Sequence, residues 1–327
     1  MTTMQAIKLT QSCQANQLLP TSVARPQVKP GYALVKVKAF GVNESEVTSR
    51  KGLSSSDFSY PRILGIEGVG VVEEVATDSQ LKVSQQVATM MAGLGRSIDG
   101  SYAEYMLVKE SYLIPFDSQL PWEILGAVPE MVQTAYGSLT TGLNLAKGET
   151  LLIHGGTSTV GLAAAVLAKS MGARVLSTSR KAEKFESLIK YGVDVPILDD
   201  SDFVQCVQAA APEGVDKVLE LVGTDVVPQD MAFLKKGGKL CFTGALNNHW
   251  TFDQFSPYQI PVGKFFTSYT GGVSDLPSPV LNDILQKIEK GELKLPIAKV
   301  YQGLAEVGQA HTNLESGDYL GKHVVVL

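Results

Sequence analysis

In the first part of the chain, apolar positions recur with a period of two. Residues 4–9 (MQAIKL) and 32–39 (YALVKVKA) read as strands, the second opened by a Pro30-Gly31 turn, with Lys36 and Lys38 marking one wet face. Residues 63–75 alternate glycine with branched apolar residues, the pattern of a tightly curved β barrel whose backbones approach one another. Residues 86–92 and 101–108 add two strands around an Asp99-Gly100 turn. From Trp122 the period lengthens to that of a helix, with Pro129 and Glu130 leading into a helix over 131–139. A short apolar run, Leu151-Leu152-Ile153, then stops at Gly155-Gly156; an Ala- and Leu-rich helix over 160–171 ends at Gly172, and a strand resumes at Arg174. Strands over 193–198, 216–221, 239–244 and 265–270 follow, with a helix at 203–210 and another ending at Gly237-Gly238. Six strands separated by helices predict an α/β fold with a doubly wound parallel sheet. The remainder offers an amphipathic helix at 280–290, a strand at 298–302, a short helix at 307–315 and a closing strand at 323–327.

Composition narrows the function more by exclusion than by suggestion. The chain has 327 residues, 44% hydrophobic and 19% charged, which is ordinary globular composition with room for two domains. A net charge of −5 argues against a general nucleic-acid or anionic-membrane surface. No apolar run approaches the roughly 20 residues of a membrane span, and residues 1–10 lack a basic segment followed by an apolar core, so a cytoplasmic location is expected. Cys13, Cys206 and Cys241 are odd in number and far apart, which predicts buried thiols rather than a disulfide or a structural zinc. His154, His249, His311 and His323 are scattered and form no ligand pattern, so no metal is expected.

The chemistry concentrates after residue 150. Gly156, Ser158 and Gly161 occupy the three positions of a nucleotide-binding turn, with Thr157, Thr159 and Val160 between them. The first position needs backbone freedom, the second lets a pyrophosphate approach, and the third lets helix pack on strand. A pyrophosphate there would also meet the positive end of the helix dipole. NAD-binding proteins place a carboxylate at the end of the next strand to hold the ribose 2′-OH. Here that stretch reads Ser177-Thr178-Ser179-Arg180-Lys181, with Lys184 one helical turn beyond Arg180. A hydroxyl, a guanidinium and an ammonium suit a 2′-phosphate dianion, and the stretch predicts NADPH as cofactor.

Together and in order, these motifs resemble the medium-chain dehydrogenase/reductase superfamily, most closely its zinc-free quinone oxidoreductase branch. Gly41-Val42-Asn43, Gly65-Ile66-Glu67-Gly68-Val69-Gly70, the Asp99–Tyr105 run, Thr134-Ala135-Tyr136, the Gly156 turn and Gly321-Lys322 carry the resemblance, which covers essentially the whole chain. It implies a GroES-like β-barrel catalytic domain over 1–121 and 273–327, and a Rossmann domain over 122–272. Zinc-dependent members place Cys, His and Cys where this chain has Asn43, Ile66 and Glu130, and the cysteine-rich loop of their structural zinc is missing near 90–96.

The resemblance further implies Asn43 and Thr134 beside the nicotinamide with Tyr136 lining the same pocket, Gly156 to Gly161 at the pyrophosphate, Gly244 and Ala245 along the ribose, and Ser179, Arg180 and Lys184 at the 2′-phosphate. Without a Lewis acid, hydride passes most readily to an electron-poor acceptor such as a quinone or an enone. Loops over 52–60 and 247–261 would shape the acceptor site. Alternative readings are an enoyl-thioester reductase, for which residues 44–50 lack the expected tyrosine and Tyr60 would have to substitute, and a non-catalytic NADPH-binding protein. Glu46 and Arg50, at i and i+4, read as a surface ion pair. The strand over 265–270 is an exposed sheet edge, which predicts a homodimer.

Overall fold

The computed structural model describes residues 2–54 and 58–327. The chain forms two compact units: residues 1–133, 272–292 and 297–327 make one, and residues 134–271 and 293–296 the other. Part of the expected acceptor loop, residues 55–57, lies outside the described residues.

The second unit is built on a six-stranded, all-parallel sheet. In space its order is Val195–Leu198, Arg174–Ser179, Thr150–His154, Val215–Glu220, Leu234–Phe242 and Phe265–Ser268. The strand that comes first in sequence therefore lies inside the sheet, and the chain winds outward from it in both directions. The carboxyl ends of Thr150–His154 and Val215–Glu220 flank the point where the winding reverses, the usual place for a nucleotide in such sheets. Leu152, Leu176, Val218 and Leu240 are fully buried at the centre. The helix Thr159–Ser170 is buried from Gly161 through Ala168. Its Ala-rich sequence explains this: small side chains let the helix axis come close to the strands it covers.

The first unit holds a seven-stranded sheet. Its order is Ile297–Gln302, Lys322–Val326, Tyr32–Val42, Glu67–Val75, Gln86–Met90 and Ile114–Phe116, with Tyr105–Lys109 pairing back on Tyr32–Val42. The eleven-residue strand Tyr32–Val42 is its axis, paired with three neighbours at once. Val35, Val37, Phe40, Leu64 and Tyr102 fill the core, and Phe40 stacks on Tyr102 at 4.5 Å between ring centroids. The helix Ser278–Glu289 buries Leu281, Ile284 and Leu285, the stripe its periodicity predicts.

Two expectations are corrected. Glu46 and Arg50 are both buried and do not pair with each other: Arg50 reaches the Cys13 carbonyl and Glu315, while Glu46 caps the start of its own helix. Spacing alone puts them on one helix face, but that face packs inward, so each is satisfied by tertiary partners. Of the three cysteines only Cys241 is buried, and Cys206 is exposed, on the wet side of the helix Phe203–Ala210.

Candidate functional site

The Gly155–Gly161 turn shows why its residues are what they are. A Cβ on Gly156 would fall on Ser177 Oγ and lie 2.9 Å from the Thr178 carbonyl, so only glycine lets the turn press against the second strand. A Cβ on Gly161 would lie 2.6 Å from the Gly155 carbonyl oxygen, so the helix start can close on the turn only without one. Ser158, at the position where the fingerprint has glycine, is the N-cap of the helix. Its hydroxyl accepts from the Gly161 N–H at 3.0 Å and donates to the Gly155 carbonyl at 2.8 Å. The Thr178 hydroxyl oxygen accepts the Gly155 N–H at 3.0 Å. Thr157, Thr159 and Val160 are half-buried along this corner. The helix is twelve residues long, so its positive end is developed where an anion would sit. The Ser177 hydroxyl beneath the turn is buried with no hydrogen-bond partner among the described residues.

At the end of the second strand, Ser179 is buried, and its hydroxyl donates to the Lys181 carbonyl at 2.9 Å while accepting the Lys181 N–H at 3.1 Å. This local turn sends Arg180 outward, where it is exposed, and leads into the short turn Ala182–Lys184, with Lys184 half-buried. Residues 177–181 themselves carry no carboxylate, while Asp199, at the end of the neighbouring strand, donates its N–H to the Ser179 carbonyl at 2.9 Å. Gly244 and Ala245 follow Thr243 just past the strand Leu234–Phe242, and a Cβ on Gly244 would meet nothing closer than the Leu221 carbonyl at 3.5 Å.

One cluster in this unit was missed in the sequence. His154 ends the first strand, Glu220 pairs with it on the neighbouring strand, and Asp199 and Asp230 close in from the next strand end and a helix. His154 Nδ1 lies 2.8 Å from Asp230 and Nε2 3.4 Å from Asp199. Burial presses this imidazole toward the neutral form, but the two carboxylates outweigh it and push its pKa up to about 10. Burial likewise pushes the Glu220 carboxyl up to about 8, although it accepts the Gly223 N–H at 3.0 Å. The ligand atoms of His154, Glu220 and Asp230 lie within 4.8 Å of one another, and the buried His154–Asp230 pair braces the strand ends beside the turn. Spacing could not reveal it, because the residues meet only through parallel pairing and a helix crossing.

The other unit carries a second polar centre, around Asn43. Asn43 precedes the helix Glu44–Lys51, and its N–H donates to Glu46 at 3.0 Å. Its amide nitrogen donates to Glu67 Oε1 at 3.0 Å, and its amide oxygen accepts from Lys322 Nζ. Lys322 and Glu67, 1% and 0% exposed, pair at 2.6 Å, and Lys322 also pairs with Glu130 at 2.9 Å. Glu67 Oε2 accepts the Glu130 N–H at 2.8 Å, tying the centre to the start of the helix Pro129–Gly137. Burial works against the Lys322 charge, but Glu130 and Glu67 more than offset it and hold the ammonium above its ordinary range. Burial raises the Glu46 carboxyl to about 7. A tetrahedral zinc does not fit these residues: Ile66 supplies no donor atom and contributes only its N–H, to Glu46, while an ammonium lies among the remaining oxygens.

Of the residues expected beside a nicotinamide, Asn43 thus belongs to the barrel unit with its amide engaged on both sides. Thr134 and Tyr136, both half-buried on the helix Pro129–Gly137, fall in the sheet unit; their carbonyls accept the Ser138 and Thr140 hydroxyls, each at 2.7 Å. Tyr60, the candidate acid of the enoyl-thioester reading, donates to the Ser49 carbonyl at 3.3 Å.

A doubly wound parallel sheet with this glycine turn, carried in one chain with a barrel of this topology, defines an oxidoreductase that works with a nicotinamide dinucleotide. The "Zinc-binding dehydrogenase" family matches residues 159–281, and the "Alcohol dehydrogenase GroES-like domain" matches residues 29–118. The chain belongs to the medium-chain dehydrogenase/reductase superfamily. It is 28% identical over 230 residues to the quinone oxidoreductase of Homo sapiens, covering 69% of this chain and 68% of that one. It is 26% identical over 329 residues to the synaptic vesicle membrane protein VAT-1 homolog of Danio rerio, covering 94% of this chain but spanning only 66% of that relative. The crystal structure of AibC, 27% identical, matches with a TM-score of 0.88 over 99% of this chain and 96% of its own.

Proposed function

We propose that this protein is a zinc-independent, NADPH-dependent reductase that passes hydride to a quinone or an activated alkene. The observation that carries the reading is the ammonium of Lys322 lying among Asn43, Glu67 and Glu130, because it leaves the reaction to acceptors that need no Lewis acid. A bound nicotinamide would supply the hydride. The chain's own part is to bind, orient and exclude water: the Gly156–Gly161 corner and its helix dipole hold the pyrophosphate, Gly244 and Ala245 border the ribose, and Arg180 with Lys184 selects the 2′-phosphate. The superfamily resemblance assigns Asn43, Thr134 and Tyr136 to the nicotinamide side. With the Asn43 amide turned inward, the reading assigns donation to a developing hydroquinone or enolate oxygen to the Tyr136 hydroxyl, with Thr134 beside it.

The same reading includes a cytoplasmic location, in keeping with the finding that no described helix is long and apolar enough to cross a membrane. It also includes a homodimer formed through the edge strand Phe265–Ser268. Phe265 on that strand and Tyr258 and Val262 in the segment leading into it are 57%, 98% and 96% exposed, which gives this stretch apolar surface. NADPH oxidation measured with 1,4-benzoquinone, 9,10-phenanthrenequinone, an alkenal and an enoyl thioester tests the assignment. Turnover of the quinones or the alkenal is expected. Turnover confined to the enoyl thioester would move the assignment to thioester reduction, and tight NADPH binding with no turnover would make this a binding protein.

A further inference from the structure

Three neighbouring strands of the barrel unit converge on one point. His323 pairs with Val42 and Val324 with Gly41, which brings Lys322 beside Asn43; Ala39 pairs with Val69, which carries Glu67 to the level of Gly41. Gly41 is what makes room there, since a Cβ at that position would fall on both Lys322 Cε and Glu67 Oε1. Into this space Lys322 brings an ammonium with three N–H donors, and three oxygens receive it: Glu67 Oε1 at 2.6 Å, Glu130 Oε2 at 2.9 Å and Asn43 Oδ1.

This arrangement is that of a small cation in an oxygen cage. Hard divalent ions sit about 2.0–2.6 Å from carboxylate and carbonyl oxygens, so the centre of the tripod is also where such an ion would bind. The charge count leans further that way, because two carboxylates face a single ammonium. Glu46 adds a third carboxyl beside them, engaged with the N–H groups of Ile66 and Asn43. We propose that Lys322 is a resident cation: its ammonium fills a divalent-cation position formed by Asn43 Oδ1, Glu67 and Glu130, balances their charge, and keeps that position closed to metal. Removing the ammonium while keeping the three oxygens opens the position, and Mn²⁺ or Co²⁺ then takes it.

The proposal deepens the zinc-independent reading, but its test is read without turnover. An inactive enzyme with the expected metal behaviour would overturn the reductase assignment and leave this inference standing. Lys322→Ala and Lys322→Met, the second retaining an apolar stem, are dialysed against Mn²⁺ beside the wild-type protein, and bound metal and melting temperature are measured. Each variant is expected to bind one equivalent and to melt higher with metal than without, while wild type binds none at this position. Adding Glu67→Gln to either variant is expected to weaken binding by about tenfold or more. Failure of both variants to bind, folded or not, overturns the proposal, as does an equivalent of Mn²⁺ on the wild-type protein that Glu67→Gln removes.

Discussion

Ser179 turns its hydroxyl onto the backbone of Lys181, so the proposed recognition of a 2′-phosphate is assigned to Arg180 and Lys184. Arg180→Ala is therefore expected to cost NADPH binding on the order of 1.5–3 kcal/mol and to leave NADH binding nearly unchanged; titration calorimetry showing equal losses for both cofactors would refute that role. Residue identity made this patch legible, because Ser-Arg-Lys where an acid is usual is a statement about charge. The engagement of Ser179 with its own backbone was not legible, since it depends on one rotamer. Glu220 gives a second residue-scale prediction. Burial holds its carboxyl protonated up to about 8, above the ordinary value of 4.5, so the folded protein keeps a proton the unfolded chain has lost. Its contribution to stability therefore falls as pH rises from about 4.5 through about 8 and levels off above that. Melting curves of Glu220→Gln should show the variant gaining on wild type between pH 5 and pH 9, whereas an offset independent of pH would show that Glu220 does not titrate in this window.

The corner between the strand Thr150–His154 and the helix Thr159–Ser170 is where local sequence and packing agree most closely. Glycine was expected at the first position for backbone freedom and at the third for packing; the left-handed residue is Gly155 instead, and Gly156 and Gly161 are both required because neighbouring atoms hem them in. Gly156→Ala should destabilise the fold by about 1–3 kcal/mol in urea unfolding, through overpacking against Ser177 and Thr178. Gly244→Ala has no such neighbour and should leave the urea midpoint unchanged while weakening cofactor binding. A loss of stability at Gly244, or none at Gly156, would contradict this account of the corner. Most elements were legible from period alone, and the six parallel strands followed from their alternation with helices. The helix Glu44–Lys51 was passed over, although Asn43 with Glu46 three residues later is the spacing of a capping box. It is short, strongly polar and buried by tertiary partners, so it carries no apolar stripe. The centre around His154 was invisible for a related reason, and of the Lys322 centre the resemblance placed only Asn43 and Glu130 together: Lys322 lies 279 residues from Asn43 and meets it through strand register, and helices bring in Asp230 and Glu130.

For the molecule as a whole, the superfamily follows from motifs spread along the entire chain, whereas acceptor choice rests on loops whose sequence carries no comparable code. The edge strand Phe265–Ser268 and its apolar border predict a dimer in analytical ultracentrifugation at micromolar concentration. A charged pair such as Tyr258→Glu with Val262→Lys should shift it toward monomer, and a wild-type monomer would remove the edge-pairing proposal. The central claim is that this protein delivers hydride from NADPH without a metal. Quinone reduction followed before and after exhaustive chelation, with NADPH and NADH compared in parallel, addresses it most directly. The account predicts undiminished turnover after chelation and a clear preference for NADPH; loss of activity that zinc restores would contradict it.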